Sequence, residues 1–288
     1  MIKAEELRVT LRGRSILREV SVAVPGGALV AVIGPNGAGK STLLRTLSGE
    51  LQPASGRVLL AGRALSEWSG QKMAQRRAVL SQQCTLAFPF TVLDVVLLGR
   101  TPHSAGEPTR FARLSDQLIA RAALDLVGLG PRMHDSYDTL SGGQQQLCHL
   151  ARVLAQIWEP PEDGVRCLLL DEPTASLDLR YQHLVLSRAQ RLSREGAAVL
   201  AVLHDVNLAA QYADVLVVLQ DGRVAAQGPP RQVLQPALLS AVFGIPVSLL
   251  GPPERPVVVP GPLYSSCATS TKRLGSEVSD APVSTRNS

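Results

Sequence analysis

The chain has 288 residues, 45% of them apolar, enough for a sizeable core arranged as one domain with a subdomain and a tail. Its 29 Lys and Arg against 24 Asp and Glu give a net charge of +5, but the basic residues are scattered and aromatics reach only 3%, which argues against a nucleic-acid surface. No run approaches 18 uninterrupted apolar residues, no signal-peptide pattern is present, and Cys84, Cys148, Cys167 and Cys267 show neither CxxC nor zinc spacing, so a soluble, cytosolic protein without disulfides is expected.

Taken in chain order, Glu6 to Val24 and Gly56 to Ala61 alternate as short strands of an antiparallel sheet. Between them Ala28 to Ile33 reads as a core strand, followed by GPNGAGKST (Gly34 to Thr42) and the helical run STLLRTL. Strand, tight loop and helix in this order make a phosphate cradle. Gly34, Gly37 and Gly39, with Pro35, Asn36 and Ala38 between them, let the backbone curl so that its amides and those of Thr42 and the helix start face a β-phosphate. Lys40 adds a point charge on the β/γ-phosphates, and Ser41 offers a hydroxyl to Mg²⁺.

Further along, periodicity changes: after a Ser115 cap, Leu118, Ile119, Ala122 and Leu126 keep helical spacing, and a helical subdomain is expected over about 83–155. LSGGQQQ (Leu140 to Gln146) closes that region. Cys167 to Leu170 is a buried parallel strand ending in Asp171 and Glu172, placed to hold Mg²⁺ and to polarise a water respectively. Alone, such a pair reads equally well as surface carboxylates, and the phosphate loop upstream is what favours the catalytic reading. Ala197 to Leu203 is another core strand, ending at His204; Val215 to Leu219 and the turn Asp221-Gly222 begin a hairpin. Residues 1–249 form the folded domain, and 250–288, rich in Pro, Ser and Thr, are expected to be an extended, then disordered, tail.

The succession of phosphate loop, LSGGQ, LLLDEP, ASLD and LHD resembles the ATP-binding subunit of an ABC transporter over roughly Leu7 to Phe243. The resemblance implies an α/β fold of P-loop NTPase type, with a RecA-like core, an antiparallel β subdomain and a helical subdomain. It implies ATP and Mg²⁺ as ligands and a head-to-tail homodimer in which Ser141, Gly142, Gly143 and Gln144 of one subunit face the γ-phosphate held by the other. Asp178 in ASLD would sense the opposite subunit, His204 would be the switch histidine, and Gln82 in AVLSQQ the glutamine touching Mg²⁺ and water, with Gln83 leaving that register open by one. Two membrane permease subunits, and indirectly a periplasmic substrate-binding protein, are the implied partners, without nucleic acid. The implied location is peripheral, on the cytoplasmic face of the bacterial inner membrane, which a basic surface suits. Ser81 to Arg100 would accept the permease, with Phe88, Phe90 and Val92 supplying either apolar contact or subdomain core.

Within that family, FPFTVLDVVLLGR followed by TPH, the phrase LARVLAQIWEP and the stretch PPEDGVR resemble the ATPases of bacterial haem importers, close to those for ferric siderophores and cobalamin. Such an ATPase does not touch the cargo, and Cys148-His149 lacks the CxxCH form and falls on the helix after LSGGQ. Two departures stand out. No aromatic precedes Trp68, so Leu11 or Val9 stands where the family stacks a ring on adenine; and Leu147 replaces the arginine usual after LSGGQQQ. Non-transport ABC ATPases carry a long coiled coil or a second ATPase module, both lacking here, and a phosphate-loop kinase would lack LSGGQ.

Overall fold

The computed structural model describes residues 1–81, 89–104, 113–162, 164–175, 177–252 and 256–262. In chain order its elements are β1 (Ile2–Leu11), β2 (Arg14–Val24), β3 (Leu29–Ile33), α1 (Lys40–Leu47), β4 (Ser55–Leu60), β5 (Arg63–Ala64), α2 (Gly70–Arg76), β6 (Arg77–Leu80), α3 (Val92–Leu97), α4 (Leu114–Leu126), α5 (Gly142–Gln156), β7 (Cys167–Asp171), α6 (Leu179–Arg194), β8 (Ala198–Val202), α7 (Val206–Tyr212), β9 (Val215–Gln220), β10 (Arg223–Gly228), α8 (Pro230–Val233), α9 (Pro236–Phe243), β11 (Val247–Leu250) and β12 (Val257–Pro260).

A six-stranded sheet ordered β10-β9-β3-β8-β7-β6 organises the molecule, parallel except for the edge strand β10, which returns antiparallel through Asp221-Gly222. Both turn residues have positive φ, 49° and 74°, the geometry a two-residue hairpin needs. Every residue of β3 and β8 is buried, as continuous apolar runs in a doubly covered parallel sheet should be. Because side chains alternate across a strand, the sheet has two separate cores. Leu29, Ala31 and Ile33 of β3 join Leu168, Leu170, Val199 and Ala201 in one core, together with α3 to α7 and α9. Val30 and Val32 join Leu169, Leu200 and Val202 in the other, with α1 and the antiparallel sheet β2-β1-β4-β5. Thus the helix after the phosphate loop and the helix after LSGGQ lie on opposite faces of one sheet.

In the helical subdomain α5 is the central rod, packed by α3 and α4 and buried from Leu147 to Ala151. The expected Ser115 cap is corrected: α4 starts at Leu114 with Arg113 at its N-cap, and Leu118 is 59% exposed. The cause is electrostatic. Arg100, 5% exposed, donates to Asp116 Oδ1 at 2.7 Å, to the Ala155 carbonyl at 2.9 Å and to Glu159 at 2.8 Å, and this turns Asp116, Ile119, Ala120, Ala123 and Leu124 inward. Val92 is also fully buried and belongs to this core rather than to a docking groove; Phe90 is half-buried against it, and Phe88 lies outside the described residues.

The expected boundary at residue 249 needs correction as well, since it cuts through a strand. β11 pairs with β12, so part of 250–288 is folded; a run of valines supplies the second strand. Asn207 of α7 acts like a third strand, accepting from Val258 N at 2.7 Å and donating to Val258 O at 3.1 Å. Val258 is thereby buried against α7. Residues 263–288 lie outside the described residues.

Asp116→Ala would leave the buried Arg100 guanidinium on Glu159 and the Ala155 carbonyl with one donor unmet, so it is expected to cost about 1–3 kcal/mol in urea unfolding. Glu195→Ala, which breaks the exposed pair with Arg191, should cost less than about 1 kcal/mol.

Candidate nucleotide site

β3 delivers the chain into the phosphate loop at Gly34, whose φ is +146° and where a Cβ would meet the Leu219 carbonyl oxygen at 2.1 Å, so only glycine fits. Gly39 caps α1 with φ +102°, a conformation that favours glycine, and a Cβ there would press on Leu17 Cδ2 of β2 at 2.8 Å. Pro35 is half-buried, Asn36 and Gly37 are exposed, and Ala38 is buried, donating its amide to Pro35 O at 3.2 Å. The loop is further tied to the β9–β10 turn by Gly222 N donating to Ala38 O at 3.1 Å. Thr42 is half-buried on the first turn of α1.

Lys40 is 6% exposed, and its ammonium donates to Gly34 O at 2.8 Å and Pro35 O at 2.9 Å. Burial pulls its pKa down, while the carboxylates of Glu172 and Asp171 pull it back up. A cation held on loop carbonyls, with two anions nearby, is poised to turn toward a polyphosphate. Ser41 Oγ donates to Asp171 Oδ1 at 3.2 Å. Burial pushes the Asp171 carboxyl above its ordinary value, helped by the charge of Glu172 and opposed by the Ser41 hydrogen bond. A half-buried carboxylate beside a hydroxyl is a hard-oxygen pair that fits Mg²⁺ when phosphate oxygens and water complete the shell.

Glu172 leaves β7 with φ +50°, a left-handed conformation that costs a non-glycine residue on the order of 1–3 kcal/mol. That bend turns its carboxylate off the strand line onto His204 Nε2, 2.5 Å from Oε1. The pairing comes from register: Asp171 lies beside Val202 across β7 and β8, so both strands end at the same level. Lys40, Ser41, Asp171, Glu172 and His204 therefore converge at one end of the sheet.

The LSGGQ tip is a separate cluster. Ser141 caps α5 in a reciprocal box: its Oγ accepts from Gln144 N at 3.4 Å, and Gln144 Oε1 accepts from Ser141 N at 3.1 Å. Ser141 and Gly142 are exposed, Gly143 and Gln144 half-buried. Asp178 caps α6 by accepting from Tyr181 N at 3.0 Å, and a Cβ on Gly143 would touch Leu177 and Tyr181, so the signature tip and the ASLD turn are neighbours. Among the described residues no hydrogen bond joins this cluster to the phosphate loop. Gln82 lies outside the described residues.

Leu147 is 1% exposed and packs as an ordinary core residue. Cys148 and His149 are buried in α5, with His149 Nε2 on the Tyr137 hydroxyl at 2.9 Å. Of the two residues that stand for the adenine-stacking ring, Val9 is 1% exposed and committed to the core, which leaves half-buried Leu11 at the end of the β1–β2 hairpin. Sequence reasoning missed Arg132, whose guanidinium reaches Gln144; no motif spacing marks it.

Residues 17–175 match the family described as ABC transporter. A hemin import ATP-binding protein HmuV of Gloeobacter violaceus is 50% identical over 263 residues, covering 90% of this chain and 94% of the relative. Among solved structures, a putative metal-chelate type ABC transporter in an inward-facing conformation superposes with a TM-score of 0.75 at 28% identity, covering 92% of this chain and 98% of that one. A dimeric bacterial ABC transporter cassette superposes with a TM-score of 0.68 at 25% identity over 80% of this chain and 99% of its own.

The expectation that aliphatic Leu11 takes the place of a stacking ring predicts that ATP and GTP bind within about tenfold of each other by calorimetry. Because base–aromatic stacking is worth roughly 1–3 kcal/mol, Leu11→Tyr should tighten ATP by about 5- to 150-fold. An unchanged affinity would remove Leu11 from the base subsite.

Proposed function

The chain belongs to the ABC transporter family, and from that premise we propose that it is the ATP-hydrolysing subunit that energises import of haem through a separate membrane permease. Hydrolysis rests on one observation above the others: Lys40, Ser41, Asp171, Glu172 and His204 meet at the end of the parallel sheet. The haem assignment is supported by 50% identity to a hemin import ATP-binding protein along nearly the whole chain. The likeness to a metal-chelate type transporter favours ferric-siderophore or cobalamin import as the second reading.

In this reading two copies stack head to tail. The loop amides of Gly34 to Thr42 and the Lys40 ammonium hold the β- and γ-phosphates of ATP, while Ser141, Gly142, Gly143 and Gln144 of the second copy approach the γ-phosphate from the far side, with Asp178 at the same seam. A second copy is needed because α1 and α5 lie on opposite faces of the sheet, so one chain presents donors from one side only. Ser41 and Asp171 are the groups that would hold Mg²⁺, with Gln82 as a third. Bound there, the ion would neutralise phosphate charge and draw electrons from the γ-phosphorus.

Glu172 accepts a proton from water as its oxygen attacks the γ-phosphorus, and the bond to the β-bridging oxygen breaks to give ADP and phosphate. His204, whose Nε2 lies beside Glu172, is placed to reach the γ-phosphate and report its presence. Loss of that phosphate removes the charge bridging the copies, and the dimer reopens. No described helix is long and apolar enough to cross a membrane, which suits a peripheral subunit beneath two permease subunits on the cytoplasmic face of the inner membrane, with a periplasmic binding protein delivering cargo beyond them.

Growth of the source bacterium, deleted for this gene, on haem or on a ferric siderophore as sole iron source tests the reading. The native chain should restore growth on haem, and Lys40→Ala and Glu172→Gln should not. In vitro, Lys40→Ala should lose ATP binding, whereas Glu172→Gln should bind ATP and lose about 10²–10⁴-fold in turnover. Failure on the siderophore alone would move the cargo to the second reading.

A further inference from the structure

Arg132 ends a short 3₁₀ turn, Gly130–Arg132, on the approach to the LSGGQ tip. Its guanidinium makes three separate contacts: Nε donates to Asp135 Oδ2 at 2.7 Å, Nη1 to Gln144 Oε1 at 2.7 Å, and Nη2 to Thr139 Oγ1 at 3.4 Å. The first anchors the arginine in its own turn. The second decides the chemistry of the tip, for a guanidinium can only donate and therefore holds the oxygen end, not the nitrogen end, of the Gln144 carboxamide toward itself.

The same Oε1 accepts the Ser141 amide at 3.1 Å. Were the carboxamide to rotate by half a turn, its NH₂ would face the Ser141 N–H, donor against donor, and the capping box would open. With the oxygen fixed, Ser141 Oγ accepts from Gln144 N, and its own proton remains free to point outward, beside the amides of Gly142 and Gly143. We propose that Arg132 is a positioning residue that fixes the polarity of Gln144 and so keeps the signature tip a cluster of outward donors for the partner copy's triphosphate. This rests on the shared-site reading given above, and it assigns Arg132 no contact with nucleotide.

Two substitutions separate this role from simple bracing. In a Glu172→Gln parent, which accumulates the ATP-bound state, Arg132→Ala should weaken ATP-driven dimerisation by about tenfold in sedimentation. Binding of a fluorescent ATP analogue to the phosphate loop of the separated chain should stay within about threefold of the parent. Arg132→Gln, neutral but with an NH₂ that can still donate to Gln144 Oε1, should instead keep dimerisation within about threefold of the parent.

If Arg132 acted through its positive charge on the phosphates, the neutral Arg132→Gln would be as defective as Arg132→Ala, and the proposal would be overturned. Parallel loss of nucleotide binding and dimerisation would also overturn it, in favour of general destabilisation, as would dimerisation untouched by Arg132→Ala. Absence of any ATP-driven dimer in the parent is a different failure: it would remove the shared-site reading itself.

Discussion

The register of three central strands is the constraint on which the site depends. Val32 of β3 lies beside Val202 of β8, and Val202 lies beside Asp171 of β7. Three unrelated stretches of sequence therefore end at the same height, and the groups at their ends, the phosphate loop, the Asp171-Glu172 pair and His204, are delivered to one place. A slip of one residue along any of these ladders would turn Leu170 or Val202 to the opposite core and move a carboxylate or the imidazole by about 3.3 Å, more than a hydrogen bond allows. Burial on both faces is what forbids the slip. The apolar runs of β3, β7 and β8 thus do more than fill space: their alternation between two cores fixes the geometry of polar groups beyond their ends.

The same alternation divides the molecule by function. One core is shared by α1 and the antiparallel sheet, the other by the helical subdomain, α6 and α7. The loop that cradles phosphate and the helix whose N-terminus is built to donate to an anion are held apart by the thickness of the sheet. Each is incomplete: the first offers donors from one side, and the second has a capping box and the exposed Gly142 but, among the described residues, no hydrogen bond to the phosphate loop. In the proposed head-to-tail pairing a second copy would supply what each lacks, which ties assembly to hydrolysis.

Much of the architecture was legible in the sequence because the motifs specify side chains that no other residues replace. Gly34 has a carbonyl where a Cβ would go, Lys40 must be a long cation, and Asp171 must come directly after a strand's apolar run. The apolar runs gave four of the six strands of the main sheet, though not the short β6, whose Arg77 breaks the pattern. The features that escaped depend on partners far away in sequence. Leu118 looked like a core position by spacing, but Arg100 claims Asp116 and rotates α4 away from that face. The β11–β12 hairpin lies in a segment whose composition suggests an unstructured tail, and it is held by side chains outside the hairpin, Asn207 of α7 on Val258 and Ser240 of α9 on Val247. Arg132 carries no motif; its meaning exists only through the oxygen of Gln144.

In the proposed mechanism a working site takes its phosphate loop from one copy and its signature tip from another. Mixing Lys40→Ala chains with Ser141→Arg chains tests it most directly, since a mixed dimer keeps one site with both Lys40 and Ser141 intact. The mixture is expected to hydrolyse ATP where neither variant does so alone. A mixture as inactive as its two components, with mixed dimers present, would contradict it.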